Sequence, residues 1–205
     1  MRPKHHEHLE LNMSTLLIDL LREELPAAVL GSHATAGDAT VLVPRDRLLE
    51  VMRMMRDDPR CQMEVLVDVT AVDYLEYDPA MRAALSPVDA GQANGLTSAT
   101  LPRYEVVYHL LSMTLRHRLR VKVALDADDL WVPTMYSLWQ AANWGEREVW
   151  DMLGVDFRGH PDLRRVLNYE EFVGHPLRKD YPVRGYQPRL PMPELVHYGD
   201  NETYR

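Results

Sequence analysis

The chain lacks the residues and motifs that carry most redox and nucleotide chemistry. It has a single cysteine, Cys61, which forms no internal disulfide and cannot supply the set of thiolates that an iron-sulfur cluster needs. Neither G-x-G-x-x-G nor G-x-x-x-x-G-K-[ST] occurs, and these are the glycine-rich loops of dinucleotide-binding and P-loop folds. We therefore expect the chain to hold no redox cofactor and no nucleotide of its own.

Long hydrophobic runs and an export signal are also absent. LLIDLL and VVYHLL are the longest apolar candidates, and both are interrupted well short of the roughly 18 residues that a membrane span needs. No signal-peptide h-region follows the N-terminus. Together with the lone cysteine, these absences predict a protein without a membrane span that works in a reducing cytoplasmic compartment.

Composition predicts one globular domain with an uneven charge distribution. A chain of 205 residues with 46% hydrophobic residues is long enough to bury a sizeable core. The net charge is −8, yet residues 158–189 contain seven Lys and Arg against four Asp and Glu. Nucleic-acid binding requires a broad basic face, so one short basic segment on an acidic chain argues against it. The same segment suits docking on an acidic protein surface.

The first third of the sequence predicts two helices and two strands. Ser14 is placed to cap a helix that runs to about Leu25, and TVLV at residues 40–43 is typical of a short strand. Pro44 suits the first turn of a second helix, whose apolar stripe ends before Asp57-Asp58-Pro59. We interpret the methionines of that stripe as core residues rather than a metal-binding face. CQMEVLVDVTAV then predicts a buried strand.

The remainder predicts a hairpin, two helices and a tail. Residues 76–100 are rich in Pro, Gly and small polar residues and predict a surface loop. RYEVVYHLLSMT and LRHRLRVKVAL predict a β-hairpin, in which Arg118, Arg120 and Lys122 alternate with apolar residues and should face water. PTMYSLWQAA and WGEREVWDML predict two short helices, the second closed by Gly154.

This order of elements predicts an α+β fold in which helices pack on a small mixed or antiparallel sheet. We divide the chain into an N-terminal extension (1–13), one α+β domain (14–181) and an extended C-terminal arm (182–205). The arm contains four prolines and too few large apolar residues to build a core. We therefore predict that it lies along a neighbouring protein.

A repeated phrase is the most informative feature of the sequence. Gly159-His160-Pro161 with Leu163-Arg164-Arg165 returns as Gly174-His175-Pro176 with Leu177-Arg178-Lys179. Glycine and proline interrupt regular elements, and arginine is rarely buried without a partner. Such turns are better suited to a rigid surface that presents cations than to a core. Just before them, Arg147 and Asp151 have the i,i+4 spacing of a marginal helical ion pair.

The region around the repeat resembles a known family. The resemblance is carried by Glu146-Arg147-Glu148 with Asp151 and Gly154, then Phe157, His160-Pro161, Leu163-Arg164-Arg165 and His175-Pro176-Leu177-Arg178-Lys179-Asp180-Tyr181-Pro182. In order and spacing these residues are similar to the NuoC-type (30 kDa class) subunit of NADH:quinone oxidoreductase, respiratory complex I. Weaker similarity lies in LVDVTAVDY and RYEVVYHLLS. The resemblance covers most of residues 40–182.

The resemblance implies a non-redox structural and assembly subunit of the enzyme's peripheral arm, at the cytoplasmic side of the membrane. It implies docking on the large subunit that helps to form the quinone site. FMN and the iron-sulfur clusters would lie in partner subunits, and no catalytic or metal-binding residue is expected here. The residues expected at the partner interface are Arg147, Glu148, Asp151, His160, Arg164, Arg165, His175, Arg178, Lys179, Asp180 and Tyr181.

Two alternatives remain open at this level. One is the equivalent subunit of a related machine, such as a membrane-bound hydrogenase or a ferredoxin-dependent quinone reductase. The other is a small metalloenzyme that uses His160 and His175, although their separation matches no common ligand spacing. Acid-base catalysis by Glu146 and Glu148 is disfavoured, because the two positions point in different directions on a helix.

Overall fold

The computed structural model of the chain describes residues 5–35, 38–86, 88 and 100–187, with side chains described from Thr15 onward except at Thr35. The helices are α1 (His5–Glu24), α2 (Leu48–Asp57), α3 (Pro79–Leu85) and α4 (Ala142–Leu153). The strands are β1 (Gly31–Thr35), β2 (Asp38–Leu42), β3 (Val65–Asp73), β4 (Tyr104–Leu111), β5 (Arg118–Leu125), β6 (Trp131–Pro133) and β7 (Asp156–Arg158). Short 3-10 helices at Pro26–Ala28 and Arg45–Arg47 precede β1 and α2.

Five strands form one mixed sheet in the order β1-β2-β5-β4-β3. Neighbours are antiparallel except for β2 and β5, which run parallel and place Val41 beside Val121. β4 and β5 form the predicted hairpin, with Tyr108 opposite Val121. β6 and β7 make a separate parallel pair. The predicted α+β fold with a small mixed sheet is therefore confirmed.

The core lies on the face of the sheet that carries α1, α2 and α4. Most of β4 is buried, and Tyr104, Val106, Tyr108 and Leu110, which share one face of the strand, belong to the core cluster. Apolar side chains of α1, α2 and α4 join the same cluster. Met52 and Met55 are fully buried, so their interpretation as core residues is confirmed.

Helix α4 approaches β3 closely because Gly145 has no side chain. A Cβ at this position would lie 3.1 Å from the Val69 Cβ and 3.4 Å from the Val69 backbone nitrogen. This close contact fixes α4 on the edge strand of the sheet. It therefore determines where the residues that follow α4 begin.

Several local predictions were wrong. Helix α1 begins at His5 rather than after Ser14, and β1, β6 and β7 were not foreseen. Residues 134–141 form turns instead of the predicted helix. The Thr134 hydroxyl and the Met135 amide both donate to the carboxylate of Glu146, at 2.5 and 2.6 Å, which holds the chain in a turn. Trp139 Nε1 donates to Met63 O and ties the next turn to the core.

The second face of the sheet is less exposed to solvent than the alternation in β5 predicted. Lys122 is buried, its Nζ lies 3.1 Å from Glu105 Oε2, and it donates to Leu85 O and Ser86 Oγ. Tyr74 Oη donates to the same Glu105 oxygen. The cover is α3, a helix within residues 76–100, where a loop was predicted. Residues 87 and 89–99 of that stretch lie outside the described residues.

Candidate partner interface

The predicted interface residues lie on α4 and on the irregular chain that follows β7, here called the 159–187 segment. Turns and bends make up this segment. Gly159 and Gly174, which open the two Gly-His-Pro phrases, have φ of +87° and +89°, a left-handed conformation that side chains disfavour. A Cβ on Gly174 would also lie 2.8 Å from the ring of Tyr181. Both predicted turns are present.

Asp151 on α4 organises the first half of the segment. Its Oδ2 accepts the backbone N–H groups of Val166, Leu167 and Asn168 at 3.1, 2.9 and 2.9 Å. Its Oδ1 accepts from Asn168 Nδ2 and from Arg165 Nη1, at 3.0 and 2.5 Å. One carboxylate thus satisfies three consecutive amides that would otherwise need water.

The electrostatics of Asp151 favour its charged form. Burial raises the pKa of this carboxyl, but the hydrogen bonds from Asn168, Arg165 and Leu167 outweigh burial and lower the pKa to about 2. The Asp151 side chain has 0% exposure and that of Arg165 has 12%. Removing either partner would leave a charge inside the protein without its counterion.

Arg165 points inward rather than toward a partner. Its Nη2 donates to Phe172 O and Gly174 O at 2.7 and 3.1 Å, while Nη1 also contacts Asp151 O. The guanidinium therefore joins α4 to the turn that precedes the second Gly-His-Pro phrase. Our expectation that both basic turns display their cations is wrong for this residue, because its own chain supplies a buried carboxylate and three carbonyl acceptors.

The second basic turn closes the C-terminus of α4. The last four carbonyl groups of a helix lack partners within it. Here each of the four has a donor. Trp150 O accepts from Gly154 N, Asp151 O from the His175 ring, Met152 O from Leu177 N, and Leu153 O from Arg178 Nε. Arg178 Nε lies 2.7 Å from Leu153 O, so a cation also sits at the negative end of the helix dipole. Arg178 thus belongs to the fold rather than to the exposed surface.

Arg147 also bonds to the chain itself. Its Nε and Nη2 donate to Arg164 O and Arg165 O, at 3.1 and 3.3 Å, and its guanidinium lies 5.1 Å from the Trp144 ring centroid. The partners therefore differ from the i,i+4 pairing that the spacing predicted, since Asp151 pairs with Arg165. Arg147 holds the first basic turn against α4, with Trp144 exposed beside it.

A second buried carboxylate secures the far end of the segment. Asp73, at the end of β3, accepts Arg103 Nε and Nη2 at 2.7 and 2.6 Å and the Lys179 backbone amide at 2.9 Å. Arg103 Nη1 reaches on to Asp180 Oδ2 at 3.0 Å. Burial raises the pKa of Asp73, but these hydrogen bonds give a net lowering. Lys179 keeps an exposed side chain while its backbone is tied to the sheet.

An aromatic row runs through the segment. Tyr169, Phe172, Tyr181 and Tyr186 contact one another in turn, with ring centroids 5.6, 6.2 and 5.9 Å apart. Gln187 hydrogen-bonds to this row through both ends of its amide. Its Nε2 donates to Val173 O and Tyr181 Oη, and its Oε1 accepts from Tyr169 Oη and Val173 N. Residues 182–187, predicted as the start of an extended arm, instead pack against residues 169–181. Residues 188–205 of the predicted arm lie outside the described residues.

The two histidines of the repeat have different environments. His160 Nδ1 accepts from the Asp162 amide and so carries no proton when the ring is neutral. His175 Nδ1 contacts Asp151 O, which only accepts, so this nitrogen carries the proton. Burial lowers the pKa of both rings and favours their neutral forms. Within the described residues, no group of three or more His, Cys, Asp or Glu side chains is placed to hold a metal ion.

Glu146 is a buried carboxyl that performs a structural task. Burial raises its pKa to about 7, despite the hydrogen bonds from Thr134 and Met135. Glu148, two residues on, is exposed. The two acids thus lie in different environments, as their helical positions predicted.

The outward-facing side chains of this region are mixed apolar and charged. Arg164 is 65% exposed and pairs only locally with Asp162. The exposed apolar side chains of α4 and the segment are Trp144, Leu167, Tyr169, Val173, Leu177, Val183 and Tyr186. The exposed charged residues from the predicted interface are Glu148, Arg164, Lys179 and Asp180. The sequence singled out the cations but gave no signal for this apolar surface, because isolated leucines and tyrosines in an irregular chain have no periodicity.

The chain is similar in sequence to known proteins. Residues 41–187 match the family described as "Respiratory-chain NADH dehydrogenase, 30 Kd subunit". The chain is 41% identical over 162 residues to an NADH-quinone oxidoreductase subunit of Hyphomonas neptunium, covering 79% of this chain and 68% of that protein. It is 42% identical over 165 residues to the subunit of the same name in Acidithiobacillus ferrooxidans, covering 80% and 73%.

Two solved structures have similar folds. A trypsin-resistant fragment (1–134) of Nqo5 is 26% identical with a TM-score of 0.52, covering 74% of this chain and 99% of the fragment. A chain of the membrane-bound sulfane sulfur reductase, an archaeal respiratory membrane complex, has a TM-score of 0.60 at 22% identity, covering 88% and 96%. In the part of the chain that the structure describes, no helix is long and apolar enough to cross a membrane. From the match over residues 41–187 and the identity to the two bacterial subunits, the chain belongs to the 30 kDa subunit family of respiratory-chain NADH dehydrogenases and is a subunit of an NADH-quinone oxidoreductase.

Proposed function

We propose that this chain is a non-redox structural and assembly subunit that docks, through the outer surface of the 159–187 segment, on the large subunit of the quinone site. The complex would be a proton-translocating NADH:quinone oxidoreductase, with this chain in its peripheral arm at the cytoplasmic side of the membrane. FMN and the iron-sulfur clusters would be held by partner subunits. The family membership supports the complex, and the geometry of the segment supports the docking role.

The observation that carries the proposal is an irregular segment whose backbone is hydrogen-bonded to buried charged side chains, while its exterior carries both apolar and charged groups. Asp151 and Asp73 accept backbone amides of the segment, and Arg165 donates to two of its carbonyl groups. Binding therefore requires little further ordering of this backbone. Its exposed tyrosines are of a residue type that is enriched at protein interfaces and at their energetic hot spots, and its exposed leucines add apolar area. Exposed charges such as Arg164 and Lys179 would orient the partner.

The only cysteine supports the assignment of the redox groups to other subunits. Cys61 is fully buried, and burial raises the pKa of its thiol to about 11, which disfavours the thiolate that binds metals. The carboxyl groups with strongly shifted pKa values also have structural partners, as Glu146 and Asp151 illustrate. We therefore assign no catalytic residue to this chain.

The test is a charge substitution on the outer surface with a matched control. Leu177→Asp changes a side chain that is exposed, so the thermal transition of the isolated chain should stay unchanged. Met113→Asp likewise introduces a carboxylate in place of an exposed apolar side chain, here in the β4–β5 turn outside the proposed surface. Native-membrane pull-downs and quinone reduction should show loss of assembled enzyme for Leu177→Asp alone. Equal assembly by both variants would refute docking through this segment.

Sorting the partners by mass spectrometry separates the complex from its relatives. Co-purification with the flavin-carrying, NADH-oxidising subunits supports the NADH enzyme. Recovery with hydrogenase or ferredoxin-linked subunits instead would favour a related machine. The similarity to the sulfane sulfur reductase shows the fold alone and does not decide between them.

A further inference from the structure

Helix α3 exposes its apolar residues and turns its arginine inward. Met81 and Leu85, at i,i+4 spacing, are 64% and 44% exposed. Arg82 donates to Leu101 O and Pro102 O, and its guanidinium lies 4.5 Å from the Tyr74 ring centroid. A surface helix normally does the reverse, with apolar residues toward the core and charge toward water. Exposed to water, Met81 and Leu85 bring no hydrophobic stabilisation to the isolated chain.

Helix α3 has only seven residues but is hydrogen-bonded at both ends. Asp78 caps its start by accepting the amides of Ala80 and Met81 at 2.7 and 3.3 Å. At its end, buried Lys122 donates to Leu85 O and Ser86 Oγ, both at 2.9 Å. Lys122 pairs in turn with the fully buried Glu105. Burying such a pair is costly, and here it fixes the position of two exposed apolar side chains.

The chain that leads into α3 meets the 159–187 segment at Asp73. We define the α3 patch as Leu75, Tyr77, Met81 and Leu85, all of them large apolar residues that are exposed. The carboxylate of Asp73 joins the patch to the segment, since Oδ1 accepts the Leu75 amide at 3.0 Å and Oδ2 accepts the Lys179 amide at 2.9 Å. The two backbones therefore meet at one side chain.

We propose that the α3 patch is a second part of the docking surface and that one and the same partner protein covers it and the 159–187 segment. This inference rests on the proposed function. The meeting of the two backbones at Asp73 argues for one partner rather than two. The acidic side chains Glu76 and Asp78, exposed beside the patch, indicate an apolar recess with basic groups at its rim as the matching surface.

Site-specific photo-crosslinking in the assembled complex tests the identity of the partner. A benzophenone amino acid would replace Met81 in one variant and Leu177 in another, and crosslinked products would be identified by mass spectrometry. We expect both positions to capture the same polypeptide. Capture of a different subunit or of lipid at position 81, or no product there while position 177 reacts, would overturn the inference and leave the proposed function intact. No product at either position would count against both.

A charge substitution measures how much the patch contributes. Met81→Glu should weaken association with the purified partner protein by about tenfold or more, as expected for an apolar side chain inserted in a recess. Met81→Leu should retain wild-type affinity, and Met113→Glu serves as the exposed control outside the patch. Thermal transitions of all three should match the wild type, because each side chain is largely exposed. Wild-type affinity of a folded Met81→Glu protein would refute the docking role of α3.

Discussion

The sheet core and the 159–187 segment are ordered by different physical means. In the core, apolar residues such as Leu119 and Tyr108 exclude water, and backbone groups pair between strands. In the segment, charged side chains hold the backbone: Asp151 accepts three amides, Asp73 accepts one, and Arg165 donates to two carbonyl groups. A chain without helices or strands can thus have a fixed shape when buried charges satisfy its peptide groups.

The two regions should therefore fail in different ways. Core stability depends on volume and apolar area, so it responds to loss of methylene groups. The segment depends on a few charge-assisted hydrogen bonds, so it responds to loss of a charge or a proton change. A substitution or a pH change that removes only apolar volume, or only a charge, should therefore destabilise one region more than the other.

The largest effect is expected for Asp151→Asn. This change keeps the size of the side chain but leaves Arg165 with no counterion in a nearly buried position. Breaking a buried pair by removing one partner costs about 3–5 kcal/mol. Urea denaturation should show a loss of that order, and tryptophan fluorescence should report release of the segment beside Trp150, whose ring centroid lies 5.6 Å from the Arg165 guanidinium.

Asp162→Asn is the matched control for this substitution. Asp162 pairs with Arg164, and both side chains are more than half exposed. Surface pairs of this kind are worth about 0–1 kcal/mol, so the control should remain close to the wild type. Equal stability of the two variants would show that the segment is not held by its buried charge.

Leu119→Ala probes the core side of the comparison. The side chain is 1% exposed on β5, and such truncations cost about 2–5 kcal/mol. Amide exchange should accelerate in the sheet and in the segment together, because the segment is bonded to the core. If Asp151→Asn accelerated exchange in the whole sheet to the same degree, the two regions would form one unit and the comparison would fail.

Acid titration should separate the regions by pH. Asp151 has a pKa of about 2 in the folded chain against 3.8 normally, so its contribution is complete above pH 3.8 and is lost as pH falls toward 2. Glu146 has a raised pKa of about 7 against 4.5 normally. Between these two values the folded state holds a proton that the unfolded state releases, so stability should fall as pH rises from about 4.5 to 7.

Glu146→Gln checks the second window. Its free energy of unfolding, measured by urea denaturation, should be less dependent on pH between about 5 and 7 than that of the wild type. Glu148→Gln changes an exposed neighbour and should retain the wild-type dependence. A wild-type slope in Glu146→Gln would assign the pH dependence to another group.

The smallest effect is expected for Gln187→Ala. The Gln187 amide bonds to Tyr169, Val173 and Tyr181, but these bonds lie near the surface. Their net loss should cost about 1 kcal/mol. Arg184→Ala, an exposed change in the same turn, should cost less, and thermal denaturation can compare them. A Gln187→Ala protein as stable as Arg184→Ala would place the end of the ordered segment before residue 187.

The sequence predicted the regular elements better than the contacts between them. The hairpin, α2 and α4 follow from local periodicity, and Gly154 has the left-handed φ of +78° that a helix C-cap needs. The inward direction of Arg165 and Arg178 depends on partners that lie 14 and 25 residues away along the chain. The alternation in β5 predicted that Lys122 faces water. That prediction failed because nothing in the sequence of the strand reveals that α3 covers this side chain. Long-range partners, rather than propensity, decided each of these cases.

Hydrogen exchange of the isolated chain tests the central claim most directly. If the 159–187 segment is preformed, the amides of Val166, Leu167 and Asn168, which donate to Asp151, should exchange far more slowly than those of an unstructured chain. The amides of Leu177 and Lys179, bonded to Met152 O and Asp73, should be protected as well. Exchange of all five at the rate of an unfolded peptide, with the sheet still protected, would contradict the account.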